Sequence, residues 1–173
     1  ANNAGGNKAV RYGVTRNQVY CLEMVTPTGE IVEVGARLKK CSTGYCMEQL
    51  VMGSEGTLGI ITKAQIRIFD QPEERRFRAF LFQDMSGAFK AARELLQKFK
   101  PSVMRLYDEA ETASLIKKIV GVAKPGAFMN IAYEGVKELV DVEAKILLET
   151  FAKYGAEDLG SEYGEKWWNE KIT

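Results

Sequence analysis

The chain has 173 residues, of which 46% are hydrophobic and 27% charged, a composition typical of a globular protein with one or two small domains. Its formal net charge of +1 gives no excess of cations that would indicate a nucleic-acid surface, so we expect no nucleic-acid partner. No apolar run approaches the about 20 residues that a transmembrane helix requires. We therefore expect a cytoplasmic protein, either free or peripheral to a membrane.

Histidine is absent from the sequence, and its absence removes several kinds of chemistry. Ser-His and Cys-His nucleophile pairs, most zinc sites and a histidyl-flavin bond all require it. The cysteines, Cys21, Cys41 and Cys46, are odd in number and lack CxxC spacing. This pattern favours buried thiols of a reducing compartment over a disulfide framework or a metal site, and we predict no bound metal.

The first part of the chain has the alternation of a β-structure. Short, largely apolar runs occur at 19–25 (VYCLEMV) and 31–34 (IVEV), and the polar stretch between them contains Pro27 and Gly29. This pattern predicts two strands joined by a tight turn. Over 60–69, a largely apolar face alternates with a face that carries Lys63, Gln65 and Arg67, and this pattern predicts a half-buried strand.

After Gln71 the pattern changes to strands and helices in alternation. The predicted strands are 76–83, 103–108 and 127–135, and the predicted helices are 87–99, 109–120 and 136–154. Ser86 is the expected N-cap of the first helix. The apolar face of that helix is predicted to comprise Phe89, Ala92, Leu95, Leu96 and Phe99. This order of elements predicts an α+β fold with a split βαβ, ferredoxin-like layer.

A glycine-rich stretch, GSEGTLG at 53–59, directly precedes the strand predicted at 60–69. Glycines let the backbone approach a ligand closely, and a loop of this kind can offer free N–H groups to an anion. The alternative is a tight turn or bulge whose glycines serve only the backbone geometry. The stretch is not a P-loop, because GxxxxGK[ST] is missing, and not a Rossmann fingerprint, because a strand follows it.

A second glycine-rich stretch, NNAGGN at 2–7, opens the chain. Its asparagines and glycines tolerate left-handed backbone conformations and bring amide donors and acceptors. A plain surface loop is the alternative. Since two such loops flank a predicted hairpin, a cofactor cradle is more plausible than for either loop alone.

Arg105 lies in the middle of the strand predicted at 103–108. A guanidinium held by a rigid strand can clamp a carboxylate or phosphate through two hydrogen bonds. The alternative is an internal ion pair with a nearby carboxylate, from Asp108, Glu109 or Glu111. Farther along, Trp167 and Trp168 are predicted core residues.

Taken together, these motifs resemble the FAD-linked oxidase family, flavoproteins with a vanillyl-alcohol-oxidase-type (PCMH-type) FAD domain. The resemblance rests on ANNAGG, VRYGVT, LEMVTPTGEIVEVG, LVMGSEGTLGIIT and IRIF, and covers 1–70 densely. Later stretches, RLYDEAET, IAYEG and YGEKWW, are similar to the alkylglycerone-phosphate-synthase branch. The NNAGG loop is more like D-lactate dehydrogenases and the glycolate oxidase flavin subunit.

The resemblance implies non-covalent FAD and assigns residues to it by matching motifs. The cofactor-binding residues would be Ala1, Asn2, Asn3, Ala4, Gly5, Gly6, Asn7, Val14, Thr15, Arg16, Asn17, Glu55, Gly56, Thr57, Leu58, Gly59, Ile60 and Ile61. Most of these would act through backbone groups. Arg105 matches an arginine that the synthase branch needs for activity, and it would meet the anionic group of the substrate.

The resemblance also implies the domain organisation. Residues 1–70 would be the C-terminal half of the PCMH-type FAD-binding domain, and 71–173 would be the first part of a ferredoxin-like substrate (cap) domain. The family's FAD-diphosphate loop would precede residue 1, and its catalytic Tyr and His residues would follow Thr173. We therefore expect a fragment that does not retain FAD and does not turn over alone.

The function expected from the resemblance is oxidation of a 2-hydroxy acid, of the D-lactate or glycolate type, by hydride transfer to flavin. The alternative is alkylglycerone-phosphate synthase, which exchanges an acyl for an alkyl chain on dihydroxyacetone phosphate with FAD as covalent partner. A non-catalytic binding domain is a third possibility. The expected partners are a small-molecule substrate and a second copy of the chain. Apolar surface left by a missing half-domain would favour such a homodimer.

Overall fold

The computed structural model describes residues 1–172 and divides into two compact units, Ala1–Asp70 and Gln71–Thr173. The assignment of these units as parts of an FAD domain and a cap domain stays a prediction. Each unit has its own antiparallel sheet.

The first unit is built on a three-stranded sheet in the order β2-β1-β3. Its strands are β1 (Val19–Val25), β2 (Ile31–Gly35) and β3 (Ile60–Ile66), and its helices are α1 (Ala9–Tyr12), a 3₁₀ turn (Thr15–Asn17) and α2 (Met47–Val51). The predicted hairpin is confirmed, with Val25 paired to Ile31 across the turn. The small core consists of Val19, Leu22, Met24, Val51 and Met52.

The strand predicted at 60–69 is shorter and more exposed than its alternation indicates. It ends at Ile66, and Ile60, Ile66 and Ile68 expose 71%, 61% and 86% of their surface. The prediction of a half-buried strand is therefore wrong. β3 is an edge strand of the described sheet, and of its described side chains only that of Ile61 packs against the core of this unit.

The second unit contains a four-stranded antiparallel sheet in the order β5-β6-β4-β7. Its elements in chain order are β4 (Glu74–Phe82), α3 (Met85–Lys98), β5 (Val103–Tyr107), α4 (Glu109–Glu111), a π-helical turn (Thr112–Ile116), α5 (Lys117–Ile119), β6 (Ala127–Gly135), α6 (Lys137–Lys153), β7 (Glu157–Gly160) and α7 (Ser161–Ile172). This strand order is that of a ferredoxin-like layer, which confirms the predicted α+β class.

Helices cover both faces of this sheet. On one face, α3 and α6 bring Leu95, Leu147 and Phe151 against β4 and β6. On the other face, residues of the helical stretch 109–119 and of α7 form a second cluster, which includes Trp167. Because both faces are covered, β6 is buried over almost its whole length, and its buried residues include the polar Asn130 and Glu134.

Two details of α3 differ from the prediction. The N-cap is Asp84, whose carboxylate accepts the Gly87 N–H at 2.8 Å, and not Ser86. The buried residues of the helix are Ala88, Ala91, Ala92 and Leu95. Of the predicted face, Phe89 is 60% exposed, because the helix is rotated so that its alanines approach the sheet closely.

The polar segment at the end of the described chain contains elements that its composition did not indicate, β7 and α7. Trp167 of α7 is fully buried and donates its Nε1–H to the Tyr107 hydroxyl at 3.0 Å. Trp168 packs against the same cluster, at 5.3 Å between its ring centroid and that of Phe77. The prediction that both tryptophans are core residues is confirmed.

Candidate functional site

Within the first unit, the structure brings the predicted cofactor-binding segments together through main-chain contacts. The Ala1 carbonyl accepts the N–H of Gly53 at 2.7 Å and that of Glu55 at 3.4 Å. The Ala4 carbonyl accepts both the N–H and the hydroxyl of Thr15, at 3.1 and 2.8 Å. The opening segment therefore bridges 14–17 and 53–59, which are far from each other in the sequence.

Side chains reinforce this junction. The Asn3 side-chain oxygen accepts the Arg16 N–H at 2.8 Å, and Asn17 Oδ1 accepts the Val14 N–H at 2.9 Å. Arg16 in turn donates from Nη2 to the Met52 carbonyl at 2.9 Å, directly before Gly53. Arg16 is thus tied to both glycine-rich stretches.

One polar atom at this junction has no partner among the residues the structure describes. Arg16 Nε is buried, yet it meets no acceptor. A buried N–H of a cation that lacks an acceptor is costly, so such an atom commonly indicates a ligand or water that supplies one. The sequence pointed to Arg16 only through its motif; its buried Nε could not be foreseen.

The loop 53–59 has the conformation that the glycine pattern suggested. Gly53 and Gly56 have φ of 99° and 87°, and Glu55, which is not a glycine, is also left-handed at 52°. A non-glycine residue in this region costs about 1 kcal/mol or more and is commonly kept where function requires it. Within the described part of the chain, the N–H groups of Gly56 and Leu58 find no acceptor, so they are open to a ligand.

The remaining predicted residues lie around this loop with different exposures. Asn2, Gly5, Gly6, Asn7 and Thr57 are exposed. Ile60 and Ile61 begin β3, and since Ile61 packs into the core of the unit, it could serve a ligand only through its backbone. The use of all these residues in FAD binding stays a prediction.

A further charged group in the first unit was not foreseen from the sequence. Glu23, Glu33, Arg37 and Lys63 line an open cavity of about 390 Å³ over the sheet, beside Cys21. Hydrogen bonds from Lys63 and Thr62 lower the pKa of Glu23. Since Glu33 is likewise paired with Arg37 at 2.6 Å, these charges neutralise one another and leave little to recognise a charged ligand.

The cysteines depart from the prediction. Cys21 is buried in β1, and burial is the main cause that raises the pKa of its thiol. Cys41 and Cys46 are exposed, so the prediction of buried thiols is wrong for both. The reason is that they lie in the connection between β2 and α2, which contributes no side chain to the core.

In the second unit, Arg105 projects from the edge strand β5 and is exposed. Its guanidinium carbon lies 5.7 Å from the centroid of the Tyr107 ring. Among the described residues, no ion pair joins Arg105 to any of the three candidate carboxylates. Asp108 instead accepts the Glu111 N–H at 2.7 Å, and Glu109 accepts the Met85 N–H at 3.2 Å. The internal ion pair that was the alternative for Arg105 is therefore not formed within the described residues.

The described residues show no arrangement of three or more Cys, Asp or Glu side chains suited to a metal ion. Nor does any described helix have the length and apolar character to cross a membrane.

The chain is similar in sequence to curated dehydrogenases and oxidases. It is 39% identical over 142 residues to a D-lactate dehydrogenase of Archaeoglobus fulgidus, covering 80% of this chain and 32% of that protein. It is 31% identical over 157 residues to the glycolate oxidase subunit GlcD of Bacillus subtilis, covering 88% of this chain and 33% of that protein. A scan of protein-family models found none that matches.

The chain is also similar to solved structures. An alkyldihydroxyacetonephosphate synthase superposes with a TM-score of 0.79 at 28% identity, covering 99% of this chain and 34% of that one. p-Cresol methylhydroxylase superposes with a TM-score of 0.62 over 84% of this chain; at 17% identity this likeness concerns the fold alone. The chain thus spans about a third of the length of the proteins it matches.

Proposed function

Because this chain belongs to the FAD-linked oxidase family, we propose that the protein is an FAD-dependent oxidoreductase that oxidises a small 2-hydroxy acid of the D-lactate or glycolate type. The observation that carries an anionic substrate is Arg105, an exposed cation on a rigid strand with no carboxylate paired to it among the described residues. A 2-hydroxy acid presents a carboxylate that a guanidinium binds well.

The residues around the loop 53–59 fit a large anionic cofactor. Open N–H groups at Gly56 and Leu58 and the unpartnered Arg16 Nε are donors suited to phosphate and carbonyl oxygens. Bound FAD supplies the hydride acceptor for oxidation of an alcohol carbon. The contacts of Ala1, Asn3 and Arg16 hold the loop in place, so that its donors are oriented before a ligand arrives.

The role assigned to Arg105 is to bind and orient the substrate through its carboxylate. Tyr107 lies under the guanidinium and is itself held by Trp167, so the position of the cation is restricted before binding. We assign Arg105 to binding and not to proton transfer, because a guanidinium stays protonated at any physiological pH.

The alternative is an alkyldihydroxyacetonephosphate synthase. What favours it is the superposition on that enzyme, which covers 99% of this chain. Here Arg105 would meet a phosphate in place of a carboxylate, and a guanidinium binds both.

The visible absorbance of the purified full-length protein, before and after addition of D-lactate or glycolate without oxygen, tests the proposal. A flavin band that bleaches supports the oxidoreductase. A flavin band that does not change on addition of either hydroxy acid favours the synthase. Absence of a flavin band would contradict both the oxidoreductase and the synthase. Flavin released by denaturant confirms non-covalent binding, and the 173-residue chain prepared alone tests whether it retains FAD.

Substitution of Arg105 tests its role. Loss of a charged bidentate contact is worth about 1.5–3 kcal/mol, so we expect Arg105→Ala to raise KM for the hydroxy acid by about tenfold or more with less effect on kcat. Arg93→Ala, at an exposed arginine of α3, is the matched control and should leave KM unchanged. Equal KM values for the two variants would exclude Arg105 from substrate binding.

A further inference from the structure

Two exposed cysteines stand at the ends of one short loop. Cys41 and Cys46 are both free and exposed, and four residues separate them, whereas Cys21 is free but buried. The proposed flavin chemistry uses none of the three. The exposed pair is therefore available to a thiol reagent that Cys21 does not meet.

The chain bends between these cysteines, at Thr43 and Gly44. Gly44, with φ of 72°, has a left-handed backbone conformation that other residues adopt with difficulty. Cys41 and Cys46 line the same cavity, which has a volume of about 200 Å³.

This bend matters because a disulfide needs Cα atoms within about 7 Å of each other. The same five-residue step in an extended chain would place them about 16 Å apart. The Cys41 sulfur also lies 3.9 Å from the Thr43 carbonyl, inside the loop it must close.

The charge next to this pair favours an anionic reagent. Lys39 and Lys40 directly precede Cys41, both are exposed, and neither forms an ion pair with a described residue. Glu48 lines the same cavity, so two cations next to Cys41 stand against one carboxylate, and a net positive charge raises the local concentration of a small anion. Arg37, by contrast, is already paired with Glu33.

We propose that Cys41 and Cys46 form an oxidisable dithiol site, which an anionic low-molecular-weight disulfide converts to an intrachain disulfide. The Cys41 thiol loses its proton and attacks one sulfur of the small disulfide, whose S–S bond breaks with release of one small thiolate. The Cys46 thiolate then attacks the Cys41 sulfur and expels the second small thiolate. Two protein thiols lose two electrons in total, the small disulfide becomes two thiols, and these take up the two protons.

The experiment uses oxidised glutathione as the probe and the full-length protein as the substrate. After incubation, the sample is quenched in acid, alkylated with N-ethylmaleimide and digested with trypsin. Because Lys40 precedes Cys41 and the next Lys or Arg is Lys63, both cysteines fall in one peptide, 41–63. We expect this peptide to lack two hydrogens and to carry no maleimide.

Maleimide or glutathione on both cysteines at every probe concentration would overturn the proposal, as would a disulfide between two chains. Cys46→Ser should stop at the first step, with one glutathione on Cys41; an unmodified Cys41 in this variant would contradict the order of attack. Cys21→Ser is the matched control and should close the loop as the wild type does, because Cys21 is buried. The readout does not depend on flavin or substrate, so it stands apart from the proposed function.

Discussion

Gly59 and Gly56, two glycines of the same motif, have different reasons to be glycine. At Gly59, φ is 147° and a Cβ would lie 2.3 Å from the Val25 carbonyl oxygen and 2.5 Å from Met24 Cε. The pairing of β3 with β1 therefore requires glycine there, whatever ligand the loop meets. At Gly56 a Cβ would meet no described atom within 4 Å, so packing does not require glycine at this position. Close approach of the backbone to a ligand would explain a glycine there.

This difference gives a prediction for stability. We expect Gly59→Ala to destabilise the first unit by about 3 kcal/mol, because it combines a strained φ with a backbone clash. Gly56→Ala, the matched control, should cost about 1 kcal/mol, since only its φ of 87° is unfavourable. Amide hydrogen exchange in β1 during urea titration measures both, and equal losses would contradict the assignment.

At the scale of elements, the start of α3 is set by a side chain that the sequence alone did not single out. Asp84 and Ser86 are both acceptable cap residues two positions apart, and the backbone of β4 decides between them. Asp84 is extended, with φ of −149°, and caps the helix, whereas Ser86 already lies inside its first turn.

We expect Asp84→Ala to lower the free energy of unfolding of the second unit by about 1 kcal/mol, because the Gly87 N–H loses its acceptor. Ser86→Ala is the matched control and should change stability by less than about 0.5 kcal/mol. Thermal unfolding followed by circular dichroism measures both. A larger loss at Ser86 would show that it caps the helix in solution.

The packing of α3 on α6 should depend on pH through Glu94. Hydrogen bonds from Lys153, Tyr154 and Lys98 lower the pKa of this carboxyl to about 2. Because the folded pKa lies below the unfolded value, the contribution is complete above the unfolded pKa and is lost as the pH falls from about 5 towards 2.

Glu94→Gln should therefore reduce the loss of unfolding free energy between about pH 5 and pH 2. It should leave the pH dependence of stability near neutral pH unchanged. Urea unfolding at a series of pH values measures the slope. Glu149→Gln is the matched control, because Glu149 on α6 is largely exposed and its Oε1 lies 3.9 Å from Lys145 Nζ, at the limit of an ion pair. Parallel slopes for wild type and Glu94→Gln would rule out this network as the cause.

At the scale of the whole molecule, the exposed isoleucines of β3 bear on association. An edge strand with apolar side chains in solvent is a template for pairing with another chain. We expect the 173-residue chain to self-associate in solution through this edge.

The combined substitution of Ile66, the last residue of β3, and Ile68, just beyond its end, by lysine (Ile66→Lys and Ile68→Lys) should shift the chain towards the monomer, because charge at an edge opposes strand pairing. Phe89→Lys, at a residue 60% exposed in the second unit, is the matched control and should leave association unchanged. Sedimentation velocity over a range of concentrations measures this. A wild-type chain that stays monomeric throughout would contradict the expectation.

The elements with a clear local period, and the family, could be predicted from the amino-acid sequence alone. The hairpin of β1 and β2, the strands β4, β5 and β6, and the helices α3 and α6 follow from apolar spacing within a few residues. The GSEGTLG motif is local in the same sense, so the candidate loop could be predicted with its residues. β7 and α7 could not, because their burial comes from contact with β4 and not from an apolar pattern of their own.

The packing of these elements against one another could not be predicted from the sequence. The bridge from Ala1 to Gly53, the buried and unpartnered Nε of Arg16, the exposure of β3 and the two exposed cysteines all depend on residues distant in the sequence. Arg105 is the clearest example, because three carboxylates lie near it in the sequence and any of them could have formed an ion pair with it. In the structure, Asp108 and Glu109 instead accept backbone N–H groups at the starts of helices. Local spacing fixes the period of a strand or helix, whereas burial and hydrogen-bond partners are fixed by which distant segments close upon each other.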